Sequence, residues 1–497
     1  MSKRLLSKNI VINIILQVTT ICSGLIIPRL IIKTYGSNVN GLISSITQFL
    51  SYIALLEGGI GGVIKAVLYK PLLNKDRAAL GGILNASNAF FRKIAYVFIG
   101  YLFLLAFSFD KISNAGYGWI PTAILVLILG ISTLTQYFFG LTYQFFLQAD
   151  QKIWFTSGVQ IVTLWLNIIF SVIMIRLGCR VEIVKLVTAL IFTLRPLCFN
   201  LYVKKKYDID FDSPPSRESL AQRWDGFGHH IAYFIHSNTD VILLTLFTSV
   251  SDVSIYTVYL MIVTGVRGLI SSAAAAVEPY IGREIAKGDM DKVKSVFKIY
   301  ELIMFILTTA IFAACAFLIV PFVSLYTEGV TDANYIQPLF GTLLVAAEAV
   351  YCLRSPYGAV IFAAGHFKQT RRGAFIEAGI NICLSLLLIR PLGIIGVAIG
   401  TVVAMLYRTT EYALYLSREI IYSSFFSYIK YMIAAVLCAF LIVSVSSEIM
   451  PVINSYMDWI LDGVLSTMVS FAITALIFSI ISMRRIAELV KYIKKGD

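Results

Sequence analysis

Charge is what this sequence has least of. Asp, Glu, Lys and Arg make up 14% of its 497 residues, against roughly 25% in an ordinary soluble chain. Hydrophobic residues make up 58%, with a mean hydropathy of +0.82, so a water-facing globular domain is excluded over most of the length. Polar stretches are scarce too. One long run stands out, KKKYDIDFDSPPSRESLAQRWD, beginning at Lys204 and holding Asp208, Asp210, Asp212, Pro214 and Pro215. Such a composition buries too little apolar surface to enter a core or a bilayer, so it reads as a solvated linker.

Other absences narrow the chemistry. There are four His and seven Cys, with no C-x-x-C pair and no His at metal spacing, so no metal site is expected and the thiols read as small apolar packing groups. No G-x-x-x-x-G-K-[ST] occurs, which excludes nucleotide binding in the P-loop manner. Asp208-Ile209-Asp210 has the D-x-D form of metal-dependent glycosyltransferases, but it lies in the linker with no nucleotide-binding domain around it. No outward loop exceeds about 20 residues, too little to house a glycan-transferring enzyme, and no catalytic residue is expected. A net charge of +13 invites a nucleic-acid reading, but the basic residues sort by loop. Of 41 Lys and Arg, about 30 fall in inward loops and tails, about 6 in outward loops and about 5 within spans, the asymmetry of the positive-inside rule with both termini cytoplasmic.

What is present in abundance is the long apolar run. Segments near the roughly 20 residues that cross a bilayer as helix recur from position 9 to 483, without the alternation of a barrel. The first follows a basic start (MSKRLLSKNI) without a small-residue cleavage site and reads as an uncleaved span. The pattern predicts an all-α polytopic membrane protein of about 14 transmembrane helices. Two six-helix lobes at 1–203 and 227–417 flank a linker at 204–226, and two extra helices with a basic tail occupy 418–497. The lobes repeat weakly: 42–76 aligns with 255–289, and Asn167 and Arg176 match Asn381 and Arg390. Six spans per copy give parallel repeats. The G-x-x-x-G pairs Gly58/Gly62 and Gly396/Gly400 read as helix-packing sites.

An ionised side chain within a bilayer must face a watery cavity, find a partner or snorkel from a helix end. Inside spans stand Arg29, Arg195, Arg267, Arg354 and Arg408, with Glu57, Asp240, Glu301, Glu348 and Glu411. Arg267 lies about thirteen residues into its span, near the midplane at ~1.5 Å per residue. It reads as an anion-binding group or as half of a structural pair with Asp240. Asp240 is equally a cation or proton site or an arginine's counter-ion. Glu57, beside Gly58 and Gly59, fits a cavity lining. Glu348 and Arg354 are six apart, off a shared face, whereas Arg408 and Glu411 are three apart and suit a local ion pair. Arg29 is a cavity group or a snorkelling one, and Arg195, ahead of Pro196, serves either way. His229 and His230 read as interfacial packing or a proton relay.

A cavity with several arginines suits an anionic cargo, since guanidinium groups match phosphate oxygens. Three stretches, IIPRLIIKTYGSNVNGLISSITQFL, NTDVILLTLFTSVSDVSIYTVYLMIV and AGINICLSLLLIRPLGIIGVAIGTVVA, carry a resemblance. The chain resembles the polysaccharide-transporter branch of the multidrug/oligosaccharidyl-lipid/polysaccharide exporter superfamily, the bacterial lipid-linked oligosaccharide flippases. The resemblance implies two lobes opening alternately to move an undecaprenyl-pyrophosphate-linked O-antigen, capsule or exopolysaccharide unit to the outer leaflet of the bacterial inner membrane. It implies Arg267, Arg29, Arg354 and Arg195 as substrate-binding groups. Asp240, Glu57 and Glu348 become the candidates for coupling to sodium ions, protons or the membrane potential, with no other cofactor. Membrane lipids are the implied surroundings and the last two helices a groove for the polyprenyl tail; a polysaccharide polymerase is left open as partner, and the protein is expected to be a monomer. The alternatives are a cation-coupled multidrug exporter of the same superfamily and a glycan-transferring membrane enzyme.

Overall fold

The computed structural model describes residues 3–57, 60–216, 227–450 and 453–483. It is 87% helix, and among the described residues there is no strand. The chain folds as two compact units, Met1–Ser254 and Ile255–Asp497.

In the first unit, α1 (Lys3–Tyr35) ends at Gly36, whose φ of 90° is a left-handed value that glycine adopts without strain, and the chain turns there into α2 (Ser37–Ser51). A 3₁₀ turn over Tyr52–Glu57 follows, then α3 (Ile60–Asn74). Asp76 caps α4 (Arg77–Ser113), its carboxylate accepting from the Ala79 N–H at 3.0 Å. After it come α5 (Trp119–Phe139), α6 (Leu141–Ala149), α7 (Ile153–Arg176), α8 (Val181–Lys206) and α9 (Phe227–Phe247). α1 packs along α7, α5 lies between α4 and α8, and α9 touches α2 and α4. Buried Phe91, Phe98, Phe146 and Tyr137 centre the apolar core.

The described part of the polar run is tied to α4 and is not a free linker. Asp210 N–H donates to the Arg77 carbonyl at 3.2 Å and Ser216 N–H to that of Gly82 at 3.0 Å. The Asn85 amide donates to the carbonyls of Phe211 and Ser213 at 2.8 and 2.9 Å, and Ile209 and Ser213 are buried. Gly81 permits the approach, since a Cβ there would stand 1.7 Å from the Asp210 carbonyl oxygen. A strap whose backbone groups are satisfied by a helix end can lie close without an apolar composition.

In the second unit, α11 (Met290–Tyr326) follows α10 (Val250–Ala286), and Asp289 caps it on the Lys292 N–H at 3.0 Å. Next are α12 (Pro338–Leu353), α13 (Ser355–Ala363), α14 (Phe367–Leu392), α15 (Ile394–Glu419), α16 (Phe426–Ile449) and α17 (Tyr456–Ile481). α15 packs along α14 and α12, and α16 and α17 pack on α11. Gly396 and Gly400 face α14, where added Cβ atoms would stand 2.3 Å from the Leu388 carbonyl and 2.5 Å from the Ser385 hydroxyl. Gly58, their expected counterpart, lies outside the described residues.

The order of elements repeats with their lengths. α4 and α11 each have 37 residues and α6 and α13 each have 9, and Asp76 and Asp289 cap alike. The matched asparagines both bond a threonine hydroxyl of the next helix, with opposite donor and acceptor roles. Asn167 accepts from the Thr188 hydroxyl at 2.7 Å, and Asn381 donates to that of Thr401 at 3.0 Å.

Twelve helices among the described residues are long and apolar enough to cross a membrane. The count of fourteen differs at two places. The seventh expected span is described as an apolar helix only over Asn238–Phe247. The tenth is interrupted at Arg354, leaving helices of 16 and 9 residues. A matching interruption at Gly140 separates α5 from α6.

Candidate functional site

Six intramembrane charges of the second unit form one connected chain. Arg267, on α10, meets Glu348 of α12 at 3.1 and 3.2 Å. The Arg267 and Arg354 guanidinium groups lie 5.1 and 4.3 Å from the centre of the Tyr351 ring. Arg354 donates to Glu377 of α14 at 2.8 Å, and the other oxygen of Glu377 stands 3.5 Å from Arg408 of α15. Arg408 then reaches Glu411 at 2.9 Å, the Tyr412 hydroxyl at 2.9 Å and the Thr370 carbonyl at 3.0 Å. Gly373 makes room, since a Cβ there would stand 2.2 Å from an Arg408 nitrogen.

Three arginines and three glutamates are therefore joined, with the Tyr351 ring between Arg267 and Arg354, and this is how a low-dielectric interior tolerates ions: each charge has a partner within hydrogen-bond or ion-pair reach. Exposure grades along the chain. The Arg408 side chain is 2% exposed, that of Arg354 14% and that of Arg267 28%. The buried end is structural in character. Of the three arginines, Arg267 is the most exposed. Glu301, also inside a span, accepts from the Tyr357 hydroxyl at 2.7 Å.

The first unit holds a cavity of about 670 Å³ between α1, α2, α5, α7 and α8. Glu57, at the end of the 3₁₀ turn, lines it and accepts a hydrogen bond from the Tyr137 hydroxyl. Asn167, Thr188 and Lys185 line it too, as does Pro28, next to half-buried Arg29. A smaller cavity of about 160 Å³ shares Ser132, Gln136 and Phe192 with it and is lined by Arg195. Arg195 donates to the Thr163 hydroxyl at 2.6 Å and lies 4.1 Å from the Phe192 ring centre. Asp240 is buried in α9, two residues beyond Asn238, which accepts a hydrogen bond from Gln48.

The structure thus brings Arg267, Arg354 and Glu348 into one network and sets Glu57 and Arg195 on adjoining cavities. Glu348 and Arg354 take different partners, as their six-residue spacing requires. Arg408 and Glu411 do pair. Sequence reasoning missed Glu377 and Lys185: both fall inside apolar runs, but near enough to the ends to read as helix-end charges. The side chains of His229 and His230 lie outside the described residues. Asp208 is paired with Arg77 and Asp210 with Ser213, so the D-x-D carboxylates serve the strap. Among the described residues no cluster of His, Cys, Asp and Glu could hold a metal ion.

Neither a protein-family model nor a curated protein sequence matches the chain. Solved structures do. The lipid II flippase MurJ, in an inward closed conformation, superposes with a TM-score of 0.69 at 16% identity, covering 95% of this chain and 99% of that one. An inward-facing multidrug resistance MATE family transporter of the MOP superfamily gives 0.60 at 15% identity, covering 81% and 94%. A eukaryotic MATE transporter gives 0.58 at 14%, covering 84% and 96%. The residues after position 417 are 80 of 497, so a match over 95% of the chain takes in at least about half of α16 and α17, whereas the MATE matches can be met without them. At these identities the likeness establishes architecture: the chain has the helical fold that the MurJ and MATE transporter structures share.

Proposed function

We propose that the chain is an alternating-access flippase that moves an undecaprenyl-pyrophosphate-linked oligosaccharide from the cytoplasmic to the outer leaflet of a bacterial inner membrane, with both termini cytoplasmic. The observation that carries the reading is Arg267. It is the most exposed arginine of a buried charge chain, held in place by Glu348 and Tyr351 while its side chain stays 28% exposed. A planar guanidinium positioned in that way suits a diphosphate, whose oxygens accept charge-assisted hydrogen bonds. Arg354, next in the chain, would hold Arg267's surroundings and add positive potential. Arg29 and Arg195 are assigned lesser parts in guiding the cargo. The likeness to a lipid II flippase through α16 and α17 supports a lipid-linked cargo. In this reading those two helices take the polyprenyl tail, the protein acts as a monomer, and a polysaccharide polymerase is its downstream partner.

Glu57 supports a second reading for the coupling step and for the rival function. A carboxylate on a cavity, oriented by a tyrosine hydroxyl, is a fitting cation or proton site. Asp240 and Glu348 join it as candidates for coupling to sodium ions or protons. A multidrug exporter would use the same groups to exchange an organic cation.

The deciding experiment reconstitutes the purified protein in liposomes with a fluorescent pyrophosphate-linked lipid oligosaccharide and follows label between leaflets. Wild type is expected to move the lipid, Arg267→Ala to slow it by more than about tenfold with folding retained, and Arg267→Lys to retain part of the rate. A wild type that moves no such lipid but expels organic cations down an imposed sodium or proton gradient establishes the exporter instead.

A further inference from the structure

The charge balance of the second unit's chain has no counterpart among the described residues around the cavities of the first. Lys185 stands in the second turn of α8 and lines the 670 Å³ cavity, and the residue is only 9% exposed. Among the described residues no hydrogen bond or ion pair takes up its ammonium group. Of those residues, Glu57 is the one carboxylate lining the same cavity, and Tyr137 donates to it. The adjoining cavity adds Arg195 and no carboxylate from the described residues, and Arg195 leaves its Nη2 buried without a hydrogen-bond partner among them. The two adjoining cavities thus set two cations against one carboxylate among the described residues, and an uncompensated buried charge costs several kcal/mol, which a bound anion would offset.

One neutral group on the same cavity, the Asn167 amide, is arranged to donate. Asn167 receives hydroxyl hydrogens from both Thr188 and Ser171 on its carbonyl oxygen, so its amide N–H groups remain as donors at the cavity. The repeat supplies an internal comparison. The position matching Lys185 is the fully buried Ala398, and there the matched Asn381 is turned the other way, donating its amide to Thr401. Where the lysine is present the amide makes no hydrogen bond to the described residues; where it is absent the amide donates to Thr401.

We propose that this cavity binds a small monovalent anion, of halide size, on Lys185 with the amide of Asn167. With Lys185 and Arg195 set against Glu57, one positive charge is left over among the described lining residues; a monovalent anion neutralises it, whereas a dianion such as sulfate, or a diphosphate, would bring uncompensated charge into a buried site. The volume accommodates the anion with several waters, each taking about 30 Å³. The site is separate from the cargo contacts assigned to Arg267, and its proof or failure leaves that assignment standing.

The test uses the full-length protein in detergent micelles with chloride as the probe. Chloride NMR linewidth is followed during titration with bromide, nitrate, gluconate and sulfate, and thermal unfolding is recorded in chloride against gluconate at equal ionic strength. The expected result is saturable chloride binding, displaced by bromide and nitrate but not by gluconate or sulfate, with a higher unfolding temperature in chloride. Lys185→Met is expected to lose affinity by about tenfold or more, Lys185→Arg to keep it, Arg195→Gln to weaken it less than Lys185→Met, and Arg267→Gln to leave it unchanged. Wild-type linewidths that do not saturate, equal displacement by sulfate, or undiminished binding in Lys185→Met would each overturn the proposal. Should Lys185→Met fail to fold, the anion selectivity of the wild type decides alone.

Discussion

Arg354 donates to Glu377 at 2.8 Å from the point where α12 gives way to α13, and the second oxygen of the same carboxylate faces Arg408 at 3.5 Å. One glutamate thus serves two buried arginines on two other segments. Glu377→Gln is expected to leave both cations short of charge compensation and to lower stability by about 3–5 kcal/mol, read as thermal unfolding in detergent. Arg354→Met combined with Glu377→Leu is expected to cost less than Glu377→Gln alone, because it removes charge from both sides. Equal losses would show that the cost does not come from uncompensated charge.

Gly373 gives Arg408 its place. A methyl group there would meet the guanidinium at 2.2 Å and the Glu411 carboxyl at 2.7 Å. Gly373→Ala is expected to destabilise by about 1–3 kcal/mol, against the gain of about 1 kcal/mol that Gly to Ala brings in an unobstructed helix. Gly379, in the same helix with nothing within 4 Å, is the control: its alanine variant is expected to match or exceed wild type in the same unfolding measurement.

The strap on α4 is expected to come loose in Gly81→Ala, whose Cβ would occupy the position of the Asp210 carbonyl. Trypsin should then cut faster after Lys204, Lys205 and Lys206. Removing the exposed Asp208–Arg77 pair through Asp208→Asn should change that rate little, because both side chains are largely solvated.

Acid should also loosen the strap. The Ser213 hydroxyl and then the Asp212 N–H hold the Asp210 carboxyl below the usual carboxylate range. A depressed folded-state value means that the contribution is fully present above the unfolded value of about 3.9 and is lost as pH falls through the folded one. Hydrogen exchange at the Asp210 and Ser216 amides is expected to be flat from neutral pH down to the ordinary carboxylate range and to quicken only below it, once the intrinsic exchange rate is divided out. Ser213→Ala should move the onset to higher pH.

Much of the architecture was legible because a bilayer leaves a chain few options. Backbone groups in hydrocarbon must be satisfied within the segment, so long apolar runs mean helices, and their order follows from the sequence. The repeat showed as a shift of about 213 positions in a few residues, and the matched lengths of α4 and α11 and of α6 and α13 bear it out. The interruptions at Gly140 and Arg354 were not legible, since hydropathy runs through both without a change. The docking of the polar run on α4 was not legible for a related reason: composition says what a segment can bury, and the strap is held by backbone hydrogen bonds that composition does not register.

The sequence by itself determined that this is a helical membrane chain, that ionised residues stand inside its spans, and that Arg408 meets Glu411, because three residues along a helix are always neighbours. Tertiary structure alone decided which other charges meet. Arg267 with Glu348, Arg354 with Glu377, and Lys185 with no carboxylate among the described residues are contacts or absences across helices separated by tens of residues. Their partners are fixed by how helix faces rotate toward one another when packed, a quantity that spacing along one helix does not contain.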